Sequence, residues 1–131
     1  MKIRDIMNFI YDELTEFAPV YHEDMKREKD GSIKLESTNI VYNLEGMYKV
    51  SEINVRKDIP LIIDIWHLKE DLFEVEDMIY LIDKKLSDVT VNIDDKAFKI
   101  SKDTAFRTNV PDPDLNIRRK RLRYVIKYYN H

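Results

Sequence analysis

At 131 residues, with 44% hydrophobic and 36% charged side chains, the chain has the length of one domain and a composition that folds rather than stays disordered. It contains no cysteine, which removes disulfide staples and thiolate metal sites. With 22 Lys+Arg against 25 Asp+Glu the formal net charge is -3, so any attraction to a polyanion has to be local.

The apolar residues Ile3, Ile6, Met7, Ile10, Leu14 and Phe17 recur three and four apart, which predicts a helix from Lys2 to Phe17. Pro19 stops it, because the residue before a proline is pushed out of the helical region. In "VYHEDMKREKDGSIKLE" the Asp30-Gly31 pair predicts a turn between two extended pieces, hence a hairpin with a charged, solvated tip. Lys26, Arg27, Lys29 and Asp30 at that tip are candidate partner contacts. "TNIVYNLEG" reads as a strand ending in a turn at Gly46, whereas "MYKVSEINV" after it has no decisive period.

"DIPLIIDIWHL" is the clearest strand: Ile59, Leu61, Ile63 and Ile65 share one face, and Ile62, Asp64 and Trp66 the other. Two apolar faces predict a central strand covered by helices on one side and by something else, such as another subunit, on the other. From Glu70 to Leu86 the spacing of Leu72, Val75, Met78, Ile79, Ile82 and Leu86 predicts a second helix. Acids in its first turns and Lys84 and Lys85 in its last complement the helix dipole. "VTVNIDDKAFKI" predicts a strand pair about Asp94-Asp95, followed by a loop, "TNVPDPDLN". The order of elements makes one α+β domain over residues 1–131: a mainly antiparallel sheet of four to five strands with two helices packed on one face.

The stretch "NIRRKRLRYVIKYY" is basic, but it alternates. As a strand it places Leu122, Tyr124, Ile126 and Tyr128 on one face and Arg119, Arg121, Arg123 and Lys127, with Val125, on the other. That is a stripe on a sheet, not a disordered arm. Such a stripe suits the acids Glu70, Asp71, Glu74, Glu76 and Asp77 of a neighbouring subunit's helix, a channel lumen, or plain solvent. A nucleic-acid module using Arg118 to Arg123 with Tyr124, Tyr128 and Tyr129 is the alternative, weakened because the alternation buries two of those rings.

Evidence of chemistry is thin. His22, His67 and His131 lack partners at ligand spacing. Asp94-Asp95 and the pair Asp112 and Asp114 sit where turns are expected, which explains them better than a cation or acid-base role. Gly31 and Gly46 belong to no phosphate-binding loop. Asp64, on the strongest strand, is the one carboxylate placed for burial, and an ion pair in the fold or an interface suits it better than catalysis. No enzyme, cofactor or metal is expected. No apolar run approaches the about 18 residues of a membrane helix, so a soluble product with no membrane partner is expected.

Taken together, "DIPLIIDIWHLKEDLFEVEDMIYLIDKKLSDV" and "PDPDLNIRRKRLRYVIKYY" resemble the tail-terminator, or tail-completion, proteins of tailed bacteriophages. The similarity follows the order of elements over residues 1–129, with the residue-level match confined to Ile59–Leu86 and Asp112–Tyr129. It implies a subunit that assembles as a ring, usually a hexamer, on the last ring of tail-tube protein, and that ends tube growth and joins the head. Further implied partners are a sheath or head-connector protein, with DNA only passing through the channel of a complete phage. The implied location is the bacterial host cytoplasm during assembly and afterwards the virion or a headless tail-like particle. Asp64, Trp66, Arg119, Arg121, Arg123 and Lys127 are the candidate subunit or channel interface. The charged segment from Glu23 to Lys34 departs from the family pattern.

Overall fold

Three apolar residues four apart, Ile6, Ile10 and Leu14, form the buried face of helix α1 (Ile3–Thr15) in the computed structural model, which describes residues 3–25, 27–45, 48–49 and 56–129. The helix ends as Phe17 N–H donates to the Leu14 carbonyl at 3.0 Å, two residues before Pro19. Strands β1 (Val20–His22), β2 (Asn39–Leu44), β3 (Tyr48–Lys49) and β4 (Arg56–Leu68) follow. A 3-10 turn at Lys69–Asp71 leads into helix α2 (Leu72–Leu86), and β5 (Val89–Ile93), β6 (Lys96–Val110) and β7 (Ile117–Tyr129) complete the order. Lys2, Lys26, Gly46, most of "MYKVSEINV" and His131 lie outside the described residues.

The strands form a single sheet in the order β1-β2-β4-β7-β6-β5, with β3 paired to β4 beyond the end of β2. Its centre is the antiparallel pair β4 and β7, in register over thirteen residues from Arg56↔Tyr129 to Leu68↔Ile117. At about 3.3 Å per residue such a pair spans about 40 Å. Alternation along both strands does what the sequence predicts: Ile59, Leu61, Ile63 and Ile65 face the same side as Leu122, Tyr124, Ile126 and Tyr128, and all eight are buried. Ile6, Ile10 and Leu14 of α1 and Val75, Ile79, Ile82 and Leu86 of α2 pack into that same cluster. Both helices therefore cover one face of the sheet. Each fully buried aliphatic side chain contributes about 1.5–3 kcal/mol relative to exposure, so this face dominates stability.

Three features differ from the sequence reading. The sheet has seven strands among the described residues, not four to five, because β1 and β3 are pieces of three and two residues that no periodicity can reveal. The Asp30-Gly31 turn does not close a hairpin: β1 pairs in parallel with β2, and the described residues of 23–38 belong to a loop that carries the chain back to the same end. Gly31, at φ +87°, occupies the left-handed region that this turn needs. Lastly, β6 continues through Thr108–Val110, which reads as loop. Beyond an irregularity between Lys102 and Arg107 its helix-side residues are polar, Arg107 meeting Glu76 of α2 and Asn109 meeting Lys120 of β7, so no apolar alternation marks the strand.

Candidate interaction surfaces

The face of the sheet away from the helices carries Asp64 and Trp66 of β4 and the odd-numbered residues of β7 from Ile117 to Lys127. Register places Arg121 opposite Asp64 and Arg119 opposite Trp66, so both guanidinium groups reach the same carboxylate. Arg121 donates from Nε to Oδ1 at 2.8 Å and from Nη2 to Oδ2 at 3.0 Å. Arg119 donates to Oδ2 from Nη2 at 2.8 Å and from Nε at 3.2 Å. The Asp64 side chain is only 6% exposed and the two arginines 23% and 24%. One negative charge meets two positive ones, leaving a local excess of one positive charge. The Asp64 hydrogen bonds raise the already high pKa of Arg121, against the opposing effect of burial.

Trp66 lies under Arg119, whose Cζ is 4.7 Å from the ring, a cation–π contact. It belongs to a second small core with Met25, Val41 and Ile117, against which Tyr21, Ile33 and Leu35 pack. The loop that replaces the expected hairpin is thus the lid of this core. Its charged residues hold its own shape: the Arg27 guanidinium donates to both Asp24 oxygens at 3.2 Å and to the Gly31 carbonyl at 3.2 Å. Asp30 Oδ1 accepts from the Ser32 N–H and hydroxyl at 2.9 and 2.6 Å.

Asp64 and Trp66 are buried within one chain: the second face of β4, expected to be covered by something other than the helices, such as another subunit, is covered here by Met25, Ile33 and Leu35 and by two arginines. Arg119 and Arg121 are likewise engaged by their own Asp64. Of the stripe, Arg123 and Lys127 have no ion-pair or hydrogen-bond partner among the described residues, and Lys99 of β6, in register with Lys127, adds to them. At the loop, Arg27 and Asp30 are committed to the turn, Lys29 is exposed, and Lys26 lies outside the described residues.

The outer side of α2, whose acids the sequence already offers to the basic stripe of a neighbour, also carries exposed apolar residues that sequence reading passed over. Phe73, Tyr80 and Leu81 are 80%, 62% and 46% exposed. At 3.6 residues per turn they fall on one arc with the exposed acids Glu74 and Asp77, and a third exposed acid, Glu70, stands in the 3-10 turn just before the helix. The signal was available, since three large apolar residues stand off the arc of Val75, Ile79, Ile82 and Leu86. Lys84 reaches back over Tyr80 at 5.5 Å; the three acids have no ion-pair partner among the described residues. The inner flank of α2 is used in the chain itself. Arg107 forms a fork on Glu76, with Nη1 to Oε2 at 2.7 Å, and holds the Glu76 carboxyl below its ordinary pKa. Lys102 pairs with Asp83 at 2.7 Å, and Lys85 with Glu13 and Glu16 of α1. Tyr124 donates to Asp83 at 3.0 Å, and burial, then Asp83, pushes its pKa up.

The remaining polar candidates have structural roles. Asp94 and Asp95, at φ 46° and 65°, make the two-residue turn between β5 and β6. Asp112 and Asp114 accept the backbone N–H groups of Asp114 and Asn116, each at 2.9 Å. His22 leans on the Tyr42 ring at 5.0 Å. His67 is fully buried, with Nδ1 2.8 Å from the Leu68 carbonyl. That carbonyl can only accept, so Nδ1 carries the proton, and Nε2 is left as a buried acceptor without a partner among the described residues. Among the described residues no group of three His, Cys, Asp or Glu could hold a metal ion, and no helix is long and apolar enough to cross a membrane.

His67 gives the fold a pH dependence of definite sign. Burial lowers its pKa from 6.5, and Arg118 and Lys120 act the same way against Asp71 and the Leu68 bond. Glu76 of α2 also lies within its field. A depressed histidine pKa means that the stabilisation is fully present above pH 6.5 and is lost as pH falls from there toward the folded value. Urea midpoints measured between pH 7.5 and 5.5 should therefore fall, and the His67→Leu chain should show a flatter profile over the same interval. An unchanged slope in that variant would refute the assignment.

Compared with known proteins, the chain matches no family model and no curated sequence.

Proposed function

We propose that this protein is an assembly subunit of the tail-terminator kind, which caps the tube of a phage tail or tail-like particle as a ring, ends its growth and offers the surface for joining a head or collar. The reading rests on the sequence resemblance and, in the structure, on one observation: a single small domain bears two unlike unsatisfied surfaces, the acidic and aromatic side of α2 and the basic strip of Arg123, Lys127 and Lys99. Unlike surfaces on one subunit support heterologous contacts, which close into rings when the rotation permits. In this reading the protein is not an enzyme and needs no cofactor. Its partners are further copies of itself, in a hexamer by resemblance, the tail-tube protein, and a sheath or head-connector protein. It works in the cytoplasm of the bacterial host and ends in the assembled particle.

A nucleic-acid module is the weaker reading. Tyr124 and Tyr128, the rings that would stack on bases, are buried on the helix side, and Asp64 engages two of the arginines that would meet phosphates.

The test is tail assembly with and without the chain, examined by electron microscopy. Tubes of unregulated length are expected in its absence, and a ring at the tube end in its presence. Tubes of normal length without it, together with no binding to purified tube ends, would overturn the proposal.

A further inference from the structure

We infer that the outer side of α2 docks on the basic strip of a second copy of this chain, with Phe73, Tyr80 and Asp77 meeting Arg123, Val125 and Lys127 of the neighbour; the inference rests on the assembly reading above and specifies its subunit interface.

Three observations carry it. First, charge: Glu70, Glu74 and Asp77 are exposed acids, with Lys84 the basic residue over Tyr80 among them, whereas Arg123, Lys127 and Lys99 form the opposing surface. Arg119 and Arg121, already bound to Asp64, are not available to a neighbour. Second, chemistry: a guanidinium group binds carboxylates through its planar fork and stacks on aromatic rings, and α2 presents both kinds of group on one arc. Val125, half-buried between Arg123 and Lys127, supplies an apolar patch for Phe73 or Tyr80. Third, spacing: Arg123 and Lys127 are four strand residues apart, about 13 Å. Phe73 and Tyr80 are seven α-helical residues apart, about 10 Å, a mismatch that long side chains absorb.

The two surfaces lie on opposite sides of the subunit, because α2 covers one face of the sheet and the basic strip lies on the other. Each copy would offer α2 to one neighbour and its sheet to the next. The contact is head-to-tail, and no pairing of like patches is required.

The absence of cysteine in the natural sequence allows a clean test. The full chain carrying Leu81→Cys, exposed at the flank of the α2 arc, and Ser101→Cys, in register with Val125 on the sheet side, treated with a short bismaleimide, should give a ladder of cross-linked oligomers, while each single-cysteine chain should give none beyond a dimer. Adding either Asp77→Arg or Arg123→Glu to the reporter chain should cut the ladder about tenfold, and both reversals together should restore it. No ladder, a ladder indifferent to the reversals, or loss without restoration in the double reversal would overturn the interface. Capping separates this outcome from failure of the assembly reading. If the interface alone is wrong, the Arg123→Glu chain still caps tubes; if the assembly reading is wrong, the natural chain does not cap them.

Discussion

Replacing Asp64 with asparagine should cost about 3–5 kcal/mol of stability, the range for breaking a buried ion pair by removing one partner. The loss comes less from missing attraction than from what remains. Arg119 and Arg121, each less than a quarter exposed, would face one another across a neutral amide that cannot offset either charge. Urea unfolding with an unchanged m-value would measure it, and a loss below about 1 kcal/mol, the scale of a surface pair, would show that the arginines escape to solvent. A companion variant makes the argument specific. Asp64→Leu combined with Arg119→Met and Arg121→Met should recover most of the loss, because a buried ionic cluster replaced as a whole by apolar residues is often neutral or better.

Trp66→Ala should be comparably damaging, about 3–5 kcal/mol for a buried large-to-small change, but through a different region. It empties the small core beneath residues 23–36 and removes the ring under Arg119, while the larger core under the helices keeps all its members. The loop should therefore become accessible before the domain unfolds, with proteolytic cleavage near Arg27 and Lys29 under conditions where the natural chain resists. Trp66 is the single tryptophan, so in the natural chain its fluorescence reports directly on whether the loop covers it. Cleavage of the variant only in step with global unfolding would show that the loop does not depend on the indole.

What could be read from sequence, and what could not, follows from the kind of information that alternation carries. The residue pattern of β4 and β7 states which side chains share a face, and Ile59 to Ile65 and Leu122 to Tyr128 lie where that pattern puts them. It does not state which strand lies beside which. That Asp64 would find Arg119 and Arg121, 55 and 57 residues away, depended on register, and without register the same arginines looked free for a partner. The second apolar face of β4 was legible, but its cover was not. Residues 23–36 are so rich in charge that they read as a solvated tip, although Met25, Ile33 and Leu35 among them supply the apolar contacts. In α2 the opposite held: helical spacing alone separated Val75, Ile79, Ile82 and Leu86 from Phe73, Tyr80 and Leu81. The exposed set was legible as soon as the residues off the core arc were given weight.

The place of β7 between β4 and β6 also bears on the order in which the molecule can be made. Among the described residues β5 and β6 attach to the rest of the sheet only through β7, which follows them in the chain, so the growing polypeptide holds two sheet fragments before the strand that joins them is made. Until β7 emerges, the long edges of β4 and β6 are both unpaired, and the β4 edge is strongly apolar, the situation in which chains pair wrongly with one another. Closure must also bring together residues as far apart as Arg56 and Tyr129, and such non-local pairing slows folding. The central strand pair that makes the finished subunit firm therefore makes the unfinished one vulnerable.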